Sequence, residues 1–198
     1  MYFSSVYHAL GLINVLKHRM SCVYKVTQIK SKNGKHLDEE QVYNYVVDTV
    51  KMHDKTIQYI DLVQSSYAQS LFGSCSTSML NISAGSIILS MSLTNPLNMI
   101  NMMIFWSGYI CDLFYVSWPG QKLLDNYDEL FTSIYFCGWY NFSSKTKFLI
   151  NFMLMRCSIS CQLKAGPFIK INFQTCGRIL QRSLSYFTVV VSLNKNSN

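Results

Sequence analysis

The sequence predicts an all-α fold: an integral membrane helical bundle with three full or near-full spans, a partial N-terminal span and long cytoplasmic helical extensions. Only 14% of the 198 residues are charged, against roughly 25% in an ordinary globular protein. No Asp, Glu, Lys or Arg occurs from Leu62 to Cys111. The basic residues behind the net charge of +7 lie beside apolar segments, as in the cytoplasmic loops of membrane proteins.

The first part of the chain predicts a partial span followed by a long helix. Residues 1–16 carry no charge and rise only about 24 Å as a helix, less than the roughly 30 Å hydrocarbon core. Residues 17–35 then contain six Lys or Arg and no acid. Acidic residues at 38–40 favour a helix start, and we expect one helix over 38–93, with its span at about 71–93. Its first part carries an apolar stripe at Val42, Val46, Val50 and Ile57.

The second span is predicted at 97–118, after a turn at 94–98. The segment 71–93 is rich in Gly, Ser and Thr, which let helices approach closely in lipid. The turn lacks Lys and Arg while both outer flanks are basic, so the positive-inside rule puts the turn outside the cell and the flanks in the cytoplasm. Trp118-Pro119-Gly120 is expected to end this helix.

Cytoplasmic helices are predicted over 121–165, followed by a final span at 168–193. Phe148, Phe152 and Met155 recur at helical spacing, as on a helix that packs against its neighbours. Ala165-Gly166-Pro167 is expected to end that helix.

The final span carries a polar stripe, which we define as Gln174, Arg178, Gln181, Ser185, Thr188 and Ser192. These residues share one helix face, and Leu180, Leu184, Phe187 and Val191 lie on the opposite one. A polar stripe in a membrane helix faces protein or a water-filled path, so packing against polar neighbours stays an alternative to a pore. Val189 lies within the arc of the stripe and Leu193 at its border, so several copies around one axis would form an apolar ring.

The sequence does not indicate nucleic-acid binding, metal binding or catalysis. A nucleic-acid-binding protein gathers its Lys and Arg on one folded surface, which this distribution does not favour. The seven cysteines form neither a CxxC pair nor a Cys/His set with zinc spacing. The two spans between 71 and 116 hold one ionisable acidic or basic residue, Asp112, near an end. We therefore expect no enzyme, no catalytic residues, no metal and no cofactor.

With these residues in place, the chain resembles the C-terminal half of insect odorant receptors, most closely those of ants, bees and wasps. The likeness covers nearly the whole chain and depends on the order and spacing of short pieces. They are His8-Ala9-Leu10-Gly11-Leu12; Val50, His53 and Ile60-Asp61-Leu62; Gly120-Gln121, Glu129-Leu130, Ser133, Tyr135 and Trp139-Tyr140; and Leu163, Ala165-Gly166, Phe168, Thr175, Ile179-Leu180 and Ser183-Leu184-Ser185-Tyr186-Phe187.

The resemblance implies a seven-span olfactory receptor subunit of an odorant-gated, non-selective cation channel. It implies a hetero-tetramer with the odorant-receptor co-receptor, a volatile small-molecule ligand, and a multi-pass location in the cell membrane of a sensory-neuron dendrite with the C-terminus outside. The family's gate maps onto Val189 and Leu193, with Ser185 and Ser192 beside it on the pore face. Most subunit contacts of the family lie in the cytoplasmic helices.

The odorant pocket of the family is built mainly from its second, third, fourth and sixth spans. On the sixth, Met103, Trp106 and Tyr109 recur every three residues and would give a soft aromatic wall for an apolar ligand. Plain helix packing is an equally good interpretation of these three residues.

The chain also departs from the family. Gln174-Thr175-Cys176 stands where members have an acidic residue, Thr and Phe, and Arg178 and Arg182 put two cations on the final helix. Members are about twice as long, so we expect a truncated form that lacks the first three spans. A taste receptor of the same superfamily and a non-functional membrane fragment stay as alternatives.

Overall fold

A computed structural model describes residues 1–32, 39–91, 96–159, 161–166 and 169–196, and these are helical almost throughout. In chain order the elements are α1 (Tyr2–Lys32), α2 (Glu39–Met91), α3 (Pro96–Tyr135), a short 3-10 helix (Trp139–Asn141), α4 (Ser144–Cys157), β1 (Lys164–Ala165), β2 (Ile169–Lys170) and α5 (Phe173–Asn196). The all-helical prediction is confirmed apart from the two short strands. Part of the predicted turn, residues 92–95, lies outside the described residues.

Two compact units make up the chain. The first comprises Met1–Gln64 and Lys122–Gln162, so it contains α1, the first part of α2, the second part of α3, and α4. The second comprises Ser65–Gln121 and Leu163–Asn198, so it contains the remainder of α2 and α3, the strand pair and α5.

Helix α1 supplies one wall of the first unit's core. The helix continues beyond residue 16, the predicted end of the partial span, to Lys32. Lys17 contacts α3 there: its Nζ lies 2.8 Å from Glu129 Oε2 and 2.8 Å from Asn126 Oδ1. Its buried residues recur every three or four positions, as one helix face requires. They are Val6, Ala9, Leu10, Ile13, Leu16, Met20 and Val23.

The buried face of α2 in this unit differs from the predicted valine stripe. Val46 is fully buried, but Val42, Val50 and Ile57 are only half-buried. The face is rotated because polar residues share it: the buried positions are Val46, Thr49, His53, Thr56, Ile60 and Val63. The two threonine hydroxyls donate to the carbonyls of Tyr45 and Met52, four residues back, so they enter the core without an unsatisfied donor.

Helix α4 buries the face that the sequence analysis did not choose. Phe148, Phe152 and Met155 were expected to pack against neighbours, yet all three are exposed in the single chain. The packed residues are Thr146, Ile150, Met153 and Cys157. The helix also ends earlier than predicted, at Cys157 rather than at Ala165.

In the second unit, α3 passes through Pro119 without a break, against the expectation that Trp118-Pro119-Gly120 would end it. A proline inside a helix removes one hydrogen bond and costs about 3 kcal/mol. Burial offsets this loss here, because Val116, Ser117, Pro119 and Gly120 are all buried.

A small hairpin lies between Leu163 and α5. The sequence analysis expected the end of a helix there. Lys164 pairs with Lys170 and Ala165 with Ile169 in antiparallel register. Gly166 has φ of +61°, a left-handed conformation that suits glycine, and its N–H donates to the carbonyl of Ala68 at 3.1 Å. Gly166 therefore belongs to the hairpin and does not cap a helix. Pro167 and Phe168 lie outside the described residues.

Across the residues that the structure describes, no helix combines the length and apolar character that a membrane crossing needs.

Candidate functional site

The start of α5 is fixed by contacts within the second unit. The backbone N–H of Thr175 donates to Asn172 Oδ1 at 2.8 Å, which caps the helix. The N–H of Phe173 donates to Gln121 Oε1 at 3.2 Å. The Phe173 ring stacks on Phe114 with centroids 5.1 Å apart and meets the edge of Trp118 at 6.0 Å. These contacts to α3 set which face of α5 turns inward.

The inward face of α5 is narrow and consists of Cys176, Ile179 and Ser183. Ser183 satisfies its hydroxyl by donating to the carbonyl of Ile179 at 2.9 Å. The sequence analysis did not identify this face, because two of its three members are not large apolar residues. It placed Leu180 and Leu184 opposite the polar stripe, but the residues opposite the stripe are Cys176 and Ser183. Leu180 is half-buried and Leu184 is 49% exposed.

Every residue of the polar stripe is exposed in the single chain. On a helix with 3.6 residues per turn the stripe lies roughly opposite Cys176 and Ser183. The hydroxyls near its end are satisfied locally, since Thr188 donates to the Ser185 carbonyl and Ser192 to the Val189 carbonyl, both at 2.8 Å. This face can therefore meet water or another chain without breaking contacts within the unit.

The four predicted gate and pore residues are placed as follows. Ser185 and Ser192 are exposed members of the stripe, and Val189 lies between them with 52% of its surface exposed. Leu193 belongs to α5, but its side chain lies outside the described residues.

The three predicted pocket residues do not share one environment. Trp106 is half-buried, and its Nε1 donates to the carbonyl of Ile82 on α2 at 3.1 Å. A methyl group added at Gly85 would lie 3.5 Å from Trp106 Cδ1, an ordinary contact distance. Met103 is exposed and Tyr109 half-buried. Trp106 therefore packs α3 against α2, while Met103 points away from that contact.

One further contact joins α2 and α3 within the second unit. The buried Ser78 donates its hydroxyl hydrogen to Asp112 Oδ2 at 3.0 Å. Asp112 is the acid that the sequence analysis noted near the end of the second span. Its contact to Ser78 shows that one of the small residues of α2 serves as a hydrogen-bond donor. A methyl group added at Gly73, by contrast, would have no neighbouring atom within 4 Å.

A buried polar cluster in the first unit was missed entirely. We define it as His53, Tyr127 and Cys157, residues on α2, α3 and α4. The Nε2 of His53 lies 3.2 Å from Cys157 Sγ, and the His53 ring stacks on Tyr127 with centroids 6.3 Å apart. Burial lowers the pKa of His53 to about 4, with the Arg156 cation adding to the effect and Asp54 opposing it. Burial also raises the pKa of the Cys157 thiol to about 11.

This cluster is a neutral structural core and not a reactive centre. A thiol with a raised pKa is a poor nucleophile at neutral pH, and a histidine held neutral at pKa about 4 is a weak base. Within the described residues, no three His, Cys, Asp or Glu side chains are grouped so that they could hold a metal ion. The sequence did hold one signal, because His53 lies on the buried face of α2. A search for apolar residues alone does not select a histidine.

Comparison with known proteins gives one family and one fold. The family described as 7tm Odorant receptor matches residues 1–184. Among curated proteins of Drosophila melanogaster, Odorant receptor 67b is 22% identical and matches 97% of this chain and 47% of its own length. The Drosophila odorant receptor coreceptor is 20% identical, over 73% of this chain and 30% of its own length.

Solved structures give a likeness of fold. The insect olfactory receptor OR5 from Machilis hrabei has a TM-score of 0.75 at 16% identity, covering 95% of this chain and 45% of that one. Its complex with eugenol has a TM-score of 0.68 at 16% identity, covering 91% and 45%. The chain spans less than half the length of each of these proteins.

Proposed function

This chain belongs to the 7tm odorant receptor family, and from that premise we propose that it acts as an olfactory receptor subunit of an odorant-gated, non-selective cation channel. The observation that carries the proposal is the polar stripe of α5, exposed on the side away from Cys176 and Ser183. A membrane helix whose packing partners all belonged to its own chain would direct such a polar stripe towards them. A stripe directed outward suits a path that several subunits share.

The proposed pore forms where one α5 from each of four subunits meets around an axis. Val189 and Leu193 would then gather as an apolar constriction that excludes water in the closed state. Ser185 and Ser192 would present uncharged oxygen atoms to passing ions. The Ser192 hydroxyl already donates its hydrogen to the carbonyl of Val189, so its oxygen can accept a hydrogen bond from the water around a cation without a change of fold.

We propose that the chain is embedded in the cell membrane, with spans at about 71–93 and 97–118 and in α5. Support comes from the missing charge between residues 62 and 111 and from the basic residues on both sides of it. The proposed topology has residues 17–35 and 121–165 in the cytoplasm, the segment near 95 outside, and the C-terminus outside.

The proposed partner is an odorant-receptor co-receptor, with the two chains forming a hetero-tetramer. The exposed face of α4, defined as Phe148, Phe152 and Met155, supports a contact between subunits, because large apolar residues rarely gather on a free surface. The similarity to the Drosophila coreceptor at 20% identity fits an assembly of related chains.

We propose a volatile, apolar small molecule as the ligand. The solved relative bound to eugenol shows what one member of this fold accepts. Of the three pocket candidates, Met103 is the one that is exposed, so it is the residue through which tuning is best tested. Replacing Met103 with Ala should shift the odorant response profile at constant surface level, and an unaltered profile would remove it from the pocket.

The first test of the proposed function is co-expression of this chain with the co-receptor in cells that lack both. We expect surface delivery of the chain and an odorant-evoked, non-selective cation current that the co-receptor alone does not give. Surface delivery without any evoked current would support the non-functional fragment instead. A response to sugars or bitter compounds only would support the taste-receptor alternative.

A second test concerns the pore face directly. Ser185→Cys and Ser192→Cys should each make the current sensitive to a charged, thiol-reactive reagent, with Leu184→Cys as the matched control on the same helix. Block through position 184 but not through 185 or 192 would show that another face of α5 lines the path.

A further inference from the structure

The second unit contains a cavity of about 400 Å³ bordered by α2, β2 and the first half of α5. Its volume falls in the range of small-molecule sites. Its polar lining consists of Lys170, Asn172, Gln174, Thr175, Arg178 and Arg182. The lining therefore combines three cations with amide and hydroxyl groups, and among the described residues that border the cavity there is no carboxylate.

The cations of this cavity lack compensating charge. Among the described residues, none of Lys170, Arg178 and Arg182 has a carboxylate oxygen within 4.0 Å of its side-chain nitrogen atoms. Arg178 and Arg182 stand one helical turn apart, and like charges at that spacing destabilise a helix. A bound anion would reduce this repulsion, so the charge of the lining favours a negatively charged ligand.

The types of donor indicate the chemistry of the anion. A guanidinium presents parallel N–H groups that match two oxygens of a phosphate, whereas an ammonium acts as a point charge. Two guanidinium groups, one ammonium and neutral donors around one cavity fit a tetrahedral group with several equivalent oxygens better than a single carboxylate.

We propose that this cavity is a binding site for a phosphate monoester group, carried either by the headgroup of an anionic lipid or by a soluble organic phosphate. Gln174 and Arg178 belong both to this lining and to the start of the polar stripe, so the proposed site shares these two side chains with the proposed pore face. Only the source of the phosphate depends on the proposed function, because the proposed topology puts Lys170 at the cytoplasmic side, where anionic lipids attract basic residues.

Binding is measured by native mass spectrometry of the purified chain in detergent, without any current recording. The probes are dioctanoyl phosphatidylinositol 4,5-bisphosphate as the lipid arm, inositol 1,4,5-trisphosphate as the soluble arm, and dioctanoyl phosphatidylcholine as the zwitterionic reference. We expect at least one phosphomonoester probe to bind more tightly than phosphatidylcholine. Binding of the lipid probe alone identifies a headgroup as the source, and equal binding of both probes identifies the phosphate group as sufficient.

The variants compare the cavity with an equal loss of charge elsewhere. Arg178→Gln combined with Arg182→Gln should raise the dissociation constant of the bound probe at least about tenfold, since each lost charge-assisted hydrogen bond is worth about that factor. Lys145→Gln combined with Lys147→Gln removes the same charge from α4 and should change it less than about twofold. Both arginines are exposed, so folding should survive.

The proposal is overturned if both double variants weaken binding equally, because attraction would then depend on net charge alone. It is also overturned if neither phosphomonoester probe binds better than phosphatidylcholine. A current or its absence in the co-expression experiment leaves these outcomes unchanged, so the two proposals fail separately.

Discussion

Acidification from pH 7.5 to pH 5 should destabilise the first unit through His53. This side chain is 3% exposed, lies 3.2 Å from Cys157 Sγ and stacks on Tyr127. Burial, reinforced by the Arg156 cation and opposed by Asp54, lowers its pKa to about 4. The folded chain therefore holds His53 neutral at pH 5, whereas an unfolded chain would take up a proton there.

The size of this effect follows from the two pKa values. An unfolded histidine has a pKa of about 6.5, so above that pH neither state binds the proton and the contribution of His53 to stability is fully present. As the pH falls from about 6.5 towards about 4, the unfolded state gains a proton that the folded state refuses, and stability is lost. At pH 5 the loss is about 2 kcal/mol. For a chain of this size that corresponds to a fall of about 4–8 °C in Tm.

The assay is thermal unfolding of the purified chain at pH 7.5 and pH 5, followed by circular dichroism. His53→Gln is neutral at both pH values, and His18→Gln is the matched control because His18 is exposed. We expect the wild type and His18→Gln to lose about 4–8 °C more between the two pH values than His53→Gln does. An equal loss in His53→Gln would refute the assignment of a neutral, buried His53, whatever its absolute Tm.

Three further predictions concern the second unit and the topology. Gly120→Ala should lower the free energy of unfolding by roughly 1–3 kcal/mol, because an added methyl group would meet the carbonyl of Ile171 and lie 2.8 Å from its Cγ2. Gly108→Ala is the control and should be neutral or stabilising, because its added methyl group would have nothing within 4 Å. Equal Tm values for the two variants would contradict this. Trp106→Phe should cost about 1 kcal/mol through the lost bond to the Ile82 carbonyl, measured as Tm, with no loss arguing against that bond. Asn98→Cys should react with an impermeant thiol reagent in intact cells and Ser31→Cys should not, and the reverse pattern would invert the topology.

The spacing of residues predicted a helix face correctly where all residues of that face share one property, such as polarity. The polar stripe of α5 could be read from the sequence because its hydroxyl, amide and guanidinium groups recur at one helical spacing, and all of them are exposed. The inward face of the same helix could not, because Cys176 and Ser183 are small and are selected by close packing against neighbours. Packing partners of this kind are distant in sequence and leave no periodic signal.

The faces of α2 and α4 show the same difficulty in two forms. On α2, Thr49 and Thr56 enter the core by bonding to their own helix, so a stripe counted from valines was rotated away from the true face. On α4, the apolar spacing of Phe148 and Phe152 was real, but these residues are exposed in the single chain. Periodicity identifies an apolar face and does not say whether its partner lies in the same chain.

Local breakers were the least reliable signals. Pro119 did not end α3, because burial of Val116 and Pro119 offsets the lost hydrogen bond. Gly166 was interpreted as a helix end, and it instead turns a two-stranded hairpin at φ of +61°. The cluster of His53 with Cys157 joins residues 104 positions apart, and no local pattern of the sequence pairs them.

The central claim, that the outward face of α5 lines a cation path, is tested most directly by basal current in cells that co-express this chain and the co-receptor. Val189→Ser is compared with Leu184→Ser, since both replace an exposed apolar residue of α5 with the same hydroxyl, at 52% and 49% exposure. On the helical wheel Val189 lies directly beside the polar stripe, next to the Arg178 edge, and Leu184 lies farther from the stripe on its other side. The account predicts that Val189→Ser weakens the apolar constriction and raises basal current at equal surface level, while Leu184→Ser leaves it unchanged. Raised current from Leu184→Ser with none from Val189→Ser would contradict the account.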